Sequence, residues 1–214
     1  MTILQVDQLT KKIKGMPIIQ DVSFKLDEGQ IVGLVGANGA GKTTLMKVIL
    51  GLSNYQDGSY KVRANTNNKS NTGALIESPG VYPFLTGYDN LKLLCESKEK
   101  NAIDDIVKKL KMDRYIHKKA KTYSLGMKQK LGIAIAFLNH PQLIVLDEPM
   151  NGLDPKAVRD VRELIVETAK QGTTFLISSH ILSELVKITD SILIIDEGKI
   201  IKQTTSCLLY TSPS

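Results

Sequence analysis

The sequence predicts an α/β fold built on a mainly parallel sheet. Short apolar runs alternate with segments of helical periodicity along most of the 214 residues, and this alternation is typical of parallel strands joined by helices. One run, Ile31–Val35, leads through a glycine-rich turn into a helical pattern at Thr44–Leu50. Another, Leu143–Leu146, has the length and composition of a buried strand. We therefore expect a sheet whose faces are covered by helices.

The two ends of the chain predict antiparallel pairing in addition. Residues 3–35 contain several strand-like runs, with a hairpin-like break at Lys14–Pro17. Asn65–Thr72 is polar and rich in turn formers, so we expect an exposed loop there. Ser191–Ile195 and Lys199–Gln203 flank a turn sequence and predict a terminal hairpin.

A helical subdomain is predicted between the two halves of the sheet, at about residues 78–137. Thr86 and Asp89 have the spacing of a capping box at the start of a helix. An amphipathic stripe follows, which we interpret as core packing rather than a cofactor site. Its residues are Ile103, Ile106, Val107 and Leu110.

The glycine-rich turn fits the P-loop pattern of Gly, four residues and Gly-Lys-Thr, between a strand and a helix. Glycines let the backbone direct its N–H groups at an anion, and a helix N-terminus adds a favourable dipole. Lys42 would reach the β- and γ-phosphates of a nucleotide, and Thr43 would ligate Mg²⁺. The alternative is a glycine turn with a chance lysine, which the strand–turn–helix context disfavours. The predicted nucleotide-binding residues are Gly36, Ala37, Asn38, Gly39, Ala40, Gly41, Lys42, Thr43 and Thr44.

Two carboxylates follow the apolar run at Leu143–Leu146. Side chains at the carboxyl ends of parallel strands face the ligand crevice of an open α/β sheet. Asp147 is therefore expected to hold Mg²⁺, and Glu148 to orient the water that attacks the γ-phosphate. A solvated acidic turn is the alternative, and it would be favoured if no P-loop preceded this segment.

Three segments together, Gly36–Thr43, Ser124–Gln129 and Leu143–Pro149, resemble the ATP-binding cassette (ABC) ATPases. The resemblance extends from about Ile3 to about Gln203. It implies a P-loop NTPase (RecA-like) fold that binds ATP and Mg²⁺ and hydrolyses ATP. It also makes His180 the histidine that touches the γ-phosphate, whereas His117 and His140 match no family position.

The resemblance further implies partners. Ser124 and Gly126 would cover the ATP of a second ABC ATPase subunit, expected to be a second copy of this chain. Asn151–Asp154 resembles the loop that crosses the dimer interface. Ser124 suits a helix N-cap, and Asp154 with Pro155 also suits a helix start. The pair would drive a separate membrane permease from the cytoplasmic side, as a peripheral protein on the inner face of the cell membrane.

Several positions depart from the common family pattern. In Ser124–Gln129, which corresponds to the signature segment of the family, Leu125 and Met127 replace a glycine and a glutamine. Ile13 stands where the family usually has an aromatic residue that stacks on adenine. Glu77 occupies a position where the family has glutamine, and we expect it at the nucleotide and Mg²⁺ site. The resemblance also implies that the loop with Glu77 senses the permease, so we expect Glu77 to couple ATP hydrolysis to transport. Glu77 and its flanking residues resemble the cassettes of bacitracin and lantibiotic self-protection exporters. This resemblance predicts export of a peptide antibiotic or another small toxic compound.

Charge and motif content bear on the other functions that the sequence could have. The net charge of +6 could indicate nucleic acid, but the lysines cluster between Lys108 and Lys121 with apolar residues among them, as on a solvated helix face. We predict no nucleic-acid partner. There are two alternatives to a transporter ATPase. One is a soluble ABC-type ATPase that acts on ribosomes or DNA, and the other is a regulatory module without turnover. Intact Lys42, Asp147 and Glu148 favour an enzyme, and no second cassette or long coiled coil is seen.

The chain termini carry further expectations. No run of 18 apolar residues and no charged n-region is present, so we expect neither a membrane span nor a signal peptide. Cys95 and Cys207 lack metal-ligand spacing and are expected to be thiols. Residues 1–206 are predicted to form a single ABC ATPase domain. Residues 207–214 resemble translated sequencing adapter and are expected to be non-native, with a short disordered terminus as the alternative.

Overall fold

The computed structural model describes residues 1–63, 72–96 and 101–205. Within them the strands are β1 (Thr2–Ile13), β2 (Met16–Asp27), β3 (Ile31–Val35), β4 (Asp57–Val62), β5 (Thr72–Leu75), β6 (Leu143–Leu146), β7 (Thr174–Ser179), β8 (Ser191–Asp196) and β9 (Lys199–Thr205). The helices are α1 (Lys42–Ile49), α2 (Gly87–Leu94), α3 (Ala102–Lys109), α4 (Leu125–Phe137), α5 (Pro155–Lys170) and the short α6 (Leu182–Leu185). A 3₁₀ turn, Ala120–Thr122, precedes α4.

The main sheet has the strand order β5-β6-β7-β3-β8-β9, and only β9 runs antiparallel to its neighbour. This confirms the predicted mainly parallel α/β core. Because parallel strands end at a common edge, the segments that follow β3, β6 and β7 lie side by side. The P-loop follows β3, Asp147 and Glu148 follow β6, and His180 follows β7.

A second sheet of order β2-β1-β4 is antiparallel throughout. The predicted hairpin is present, but its turn is Lys14-Gly15 alone, with φ angles of 50° and 82°. Met16 and Pro17 already belong to β2, paired with Ile13 and Lys12. The predicted terminal hairpin is also confirmed as β8 and β9, which meet at Glu197 and Gly198.

Both faces of the central strands β3, β6 and β7 are buried, as their apolar sequences require. Ile144 and Leu146 of β6 face one apolar cluster, which includes residues of α4 and α5. Leu143 and Val145 face the other, which joins α1 to the small sheet. The sheet therefore lies between two hydrophobic layers. Over the described ranges, none of the helices combines the length and apolar character needed to cross a membrane.

The predicted helix starts are confirmed. Thr86 caps α2 by accepting a hydrogen bond from the Asp89 N–H at 3.0 Å. Asp154 caps α5 by accepting from the N–H groups of Lys156 and Ala157, with Pro155 in the first turn. The bond from Ala157 is the main reason that the pKa of Asp154 is held below its usual value.

Two expectations concern, wholly or in part, residues outside the described ranges. Residues 65–71 of the predicted loop lie outside them, and Thr72 is not part of a loop but the first residue of β5, paired with Leu143 of β6. The predicted non-native tail, 207–214, also lies outside the described residues.

Candidate active site

The P-loop connects β3 to α1 in the way that phosphate binding requires. Gly39 and Gly41 have φ angles of 87° and 106°, which side-chain-bearing residues rarely adopt. A Cβ on Gly41 would lie 2.9 Å from the Ile18 carbonyl oxygen, and one on Gly36 would collide with the Ile195 carbonyl. Gly41 therefore has both a conformational and a steric reason to be glycine, whereas the reason is conformational at Gly39 and steric at Gly36.

A cavity of about 180 Å³ lies over this loop. Lys42, the first residue of α1, is buried, and its ammonium group donates to the carbonyl oxygens of Gly36 (2.7 Å) and Ala37 (3.2 Å). The structure thus gathers most of the predicted phosphate-binding residues and both carboxylates around one space. The cavity is lined by Ile18, Asn38, Gly39, Gly41, Lys42, Thr43, Thr44, Asp147 and Glu148.

Asp147 lies directly beyond β6 and is bonded through both of its oxygens. Thr43 Oγ1 donates to Asp147 Oδ2 at 2.7 Å, and Ser178 Oγ donates to Oδ1 at 2.5 Å. Thr43 and Asp147 were predicted to share a metal, and the structure brings their oxygens into contact across 104 positions of sequence. Mg²⁺ prefers such oxygen ligands and completes its shell with phosphate and water, so the donor set fits this ion.

Glu148 lies between two groups that can act on a phosphate. Its backbone is left-handed, with φ of 48°, a conformation that is costly for a non-glycine residue. One carboxylate oxygen, Oε1, is 3.7 Å from Lys42 Nζ, and the other, Oε2, is 2.9 Å from His180 Nδ1. Within the described residues Oε1 is buried and accepts no hydrogen bond, which leaves an acceptor available for a water or substrate proton.

The signature segment stands apart from this cavity. Ser124 caps α4 by accepting from the Met127 N–H at 3.3 Å, as predicted. A Cβ on Gly126 would lie 2.9 Å from the Gly152 carbonyl oxygen, so the two loops touch. Leu125 is 67% exposed beside Gly152. Neither Ser124 nor Gly126 lines the cavity of its own chain.

Tyr123 anchors the start of this segment. Its hydroxyl donates to the Tyr115 carbonyl oxygen at 2.9 Å, and the two rings pack edge to face. Burial raises the pKa of both Tyr123 and Tyr115 above the usual tyrosine value. The hydroxyls therefore remain protonated at physiological pH, and Tyr123 acts as a donor.

Glu77 and Ile13 are not among the residues that line the cavity. Glu77 follows β5 with φ of 59°, and its carboxylate is 2.6 Å from Lys47 Nζ on α1. Ile13 lies at the β1–β2 turn, whereas Ile18 of β2 lines the cavity.

Three residues at the site were not predicted. Ile18 supplies an apolar surface, Ser178 bonds to Asp147, and the buried Gln129 of α4 donates from Nε2 to the Pro149 carbonyl oxygen at 3.2 Å. The signal for Ser178 was the pair of polar residues that ends an otherwise apolar strand next to His180. Ile18 carries no comparable local signal, and Gln129 was recognised only as the end of the Ser124–Gln129 segment.

Comparison with known proteins identifies the class. A family model described as "ABC transporter" matches residues 19–151. The chain therefore belongs to the ABC transporter family, and it is an ATP-binding ATPase subunit of that family. Subunits of this family bind ATP or ADP, act as dimers and work with membrane permeases.

Individual relatives and a solved structure show which ABC ATPases the chain is similar to. The chain is 37% identical over 219 residues to the bacitracin transport ATP-binding protein BcrA of Enterococcus faecalis, covering 97% of this chain and 71% of BcrA. It is 38% identical over 203 residues to the lantibiotic transport ATP-binding protein SrtF of Streptococcus pyogenes, covering 92% and 89%. A solved structure of the ATP-binding subunit of an ABC transporter superposes with a TM-score of 0.86 at 29% identity, covering 95% of this chain and 90% of that one. The chain is thus homologous to the ATPases of bacitracin and lantibiotic transport.

Proposed function

We propose that the cavity over the P-loop binds ATP with Mg²⁺ and that Glu148 directs water at the γ-phosphate. The observation that carries this proposal is the position of the Glu148 carboxylate, which contacts Lys42 on one oxygen and His180 on the other. A base, a cation and an imidazole converge where the terminal phosphate would lie against the P-loop.

The phosphates would be held mainly by backbone N–H groups of residues 36–44 and by the α1 dipole. The Lys42 ammonium donates hydrogen bonds to two carbonyl groups of the P-loop, so it is already held in the loop before a nucleotide binds. Ile18 would support the adenine or ribose with an apolar surface, alongside Ile13 near the family's stacking position.

Mg²⁺ would be held by Thr43 and Asp147, and it would supply charge neutralisation and a fixed phosphate geometry. Glu77 would join this set as a third oxygen donor only after leaving Lys47, its partner at 2.6 Å.

Hydrolysis then needs little covalent chemistry from the protein. Glu148 accepts a proton from the attacking water, a P–O bond forms at the γ-phosphorus, and the bond to ADP breaks. His180 steadies the Glu148 carboxylate or the γ-phosphate oxygens. Lys42 stabilises the charge that spreads over these oxygens in the transition state.

The functional unit proposed is two copies of this chain, with Ser124 and Gly126 of each covering the nucleotide of the other. The exposure of Ser124 and Leu125, away from the cavity of their own chain, supports this arrangement. Each copy would be one ABC ATPase domain over residues 1–206 with a helical subdomain at 78–137. The dimer would bind a membrane permease on the inner face of the cell membrane and would have no nucleic-acid partner.

The proposed cargo is a peptide antibiotic or another small toxic compound, exported in self-protection. The identity to BcrA and SrtF supports this cargo class.

One pair of variants tests both the site and the cargo. Lys42→Ala removes the buried P-loop ammonium, whereas Lys61→Ala removes an exposed lysine of β4. Binding of a fluorescent ATP analogue is measured on the purified chains, and bacitracin resistance on bacteria that carry each chain with its permease. We expect Lys42→Ala alone to lose binding and resistance. Retention of both by Lys42→Ala would overturn the proposal, and loss of binding without any effect on resistance would exclude bacitracin as the cargo.

A further inference from the structure

Ser178, near the carboxyl end of β7, touches both carboxylate residues of the site. It is completely buried. Its hydroxyl donates to Asp147 Oδ1 at 2.5 Å and accepts from the Glu148 N–H at 2.9 Å. The parallel register pairs Leu146 of β6 with Ile177 of β7, so Ser178 stands level with Asp147 on the neighbouring strand.

The bond to Asp147 fixes one oxygen of that carboxylate. Since Ser178 holds Oδ1 and Thr43 contacts Oδ2, a rotation of the carboxylate would break both bonds. Charge-assisted hydrogen bonds of this kind are about twice as strong as neutral ones. Ser178 therefore keeps Oδ2 directed at the P-loop.

The bond to the Glu148 N–H acts on the backbone. A left-handed glutamate persists only where its surroundings hold it, at a cost on the order of 1–3 kcal/mol. The same turn is bonded at Asp147 N–H by the Leu75 carbonyl (2.8 Å) and at the Pro149 carbonyl by Gln129. At Glu148 itself the N–H bond goes to Ser178, which belongs to a different strand.

We propose that Ser178 is a positioning residue for ATP hydrolysis, whose single hydroxyl couples the orientation of the Asp147 carboxylate to the backbone conformation of Glu148. The proposal rests on the roles of Asp147 and Glu148 in the proposed function. Ser178 does not contact the substrate. Its loss should therefore impair the chemical step more than nucleotide binding.

The test compares Ser178→Ala with Thr174→Val, a matched control on the same strand. Thr174 is also completely buried, and its hydroxyl also donates to one oxygen (Asp27 carbonyl, 3.1 Å) and accepts from one N–H (Gly29, 3.2 Å). It lies four residues from Ser178, about 13 Å along the strand. Both variants lose a buried hydroxyl with two hydrogen bonds, but only one of them loses contacts with the site.

Steady-state ATPase measurements on the purified chain give kcat and KM for each variant. We expect Ser178→Ala to lower kcat by roughly 30-fold, since small misplacements of catalytic groups carry costs of that order, with KM within about 3-fold of wild type. Thr174→Val should keep both within about 3-fold, although its melting temperature falls like that of Ser178→Ala. In NMR-detected hydrogen exchange, the Glu148 amide should exchange at least ~10-fold faster in Ser178→Ala.

The outcomes separate this proposal from the proposed function. Unchanged kcat in Ser178→Ala, equal losses in both variants, or a rise in KM alone would overturn the role of Ser178 and leave the proposed function intact. Wild-type turnover by Glu148→Gln would overturn the proposed function and, with it, this role. If Ser178→Ala does not fold, Ser178→Cys keeps the volume with a weaker donor and acceptor. It should lower kcat in the same direction, and unchanged kcat would overturn the proposal.

Discussion

At the scale of single residues, the site contains a glutamate with a strained backbone, and the neighbours of its carboxylate come from other segments of the chain. Glu148 has φ of 48°, and its side chain meets Lys42 of α1 and His180 after β7. Each of these residues belongs to a different segment of chain. The alignment therefore depends on the packing of the parallel sheet and not on any local motif.

Glu77 offers a test of how the site communicates with a permease. Glu77→Gln removes an ion pair with Lys47 whose side chains are 61% and 33% exposed, so we expect a stability change below about 1 kcal/mol. We predict that ATPase activity of the purified chain stays near wild type while bacitracin resistance of cells carrying chain and permease falls.

The control for Glu77 is Lys47→Gln, which breaks the same pair but keeps the carboxylate. Equal effects of both variants on resistance would locate the function in the ion pair, and an effect of Glu77→Gln alone would locate it in the carboxylate. A proportional loss of ATPase activity and resistance in Glu77→Gln would contradict the coupling role.

Sequence reasoning found the residues that a contiguous motif contains, and it missed those that tertiary pairing supplies. Lys42 and Thr43 follow from strand–turn–helix spacing, and Asp147 and Glu148 follow from their position directly after an apolar run. Ser178 acquires its role only because β7 lies beside β6 in a fixed register. The preference of Glu77 for Lys47 similarly depends on the distance between β5 and α1, which no local pattern encodes.

At the scale of elements, two ion pairs join α3 and the residues just after it to α5. Lys109 pairs with Glu167 at 3.2 Å, and Lys111 pairs with Asp160 at 2.5 Å. The pairs differ in burial, because the Asp160 side chain is 4% exposed whereas that of Glu167 is 59% exposed. They link the predicted helical subdomain to the helix that follows the Asn151–Asp154 loop.

The pair with the buried Asp160 carboxylate should contribute more to stability. We predict that Lys111→Ala, which leaves the Asp160 carboxylate buried without its ammonium partner, lowers the free energy of unfolding by about 2 kcal/mol. This is less than for a wholly buried pair because Lys111 is itself half exposed. Lys109→Ala should cost less than about 1 kcal/mol. Urea denaturation measures both, and equal losses would contradict this ranking.

Elements were predicted best where capping chemistry or apolar runs mark them. The caps at Thr86, Ser124 and Asp154 are all present, because each serine, threonine or aspartate directly precedes its helix. The hairpin turn was set two residues too long, since Met16 and Pro17 tolerate a strand edge as well as a turn. Thr72 joined β5 because pairing with Leu143 outweighed its polar neighbours.

At the scale of the whole molecule, the exposed start of the signature segment, Ser124 and Leu125, predicts assembly. In a Glu148→Gln background, ATP should double the molar mass measured by light scattering, because unhydrolysed ATP would join two chains. Adding Ser124→Arg should prevent this dimer. Adding Ser59→Arg, at an exposed position of β4, should not. A dimer that survives Ser124→Arg would contradict the proposed arrangement of the two cavities.

The rate of ATP hydrolysis by Glu148→Gln tests the account most directly. Glutamine keeps the size and one acceptor oxygen but cannot take a proton from water. We predict that the purified Glu148→Gln chain binds ATP as wild type does and hydrolyses it at least ~100-fold more slowly, the usual scale for loss of a general base. Turnover within a few-fold of wild type would contradict the assignment of Glu148 and the proposed mechanism.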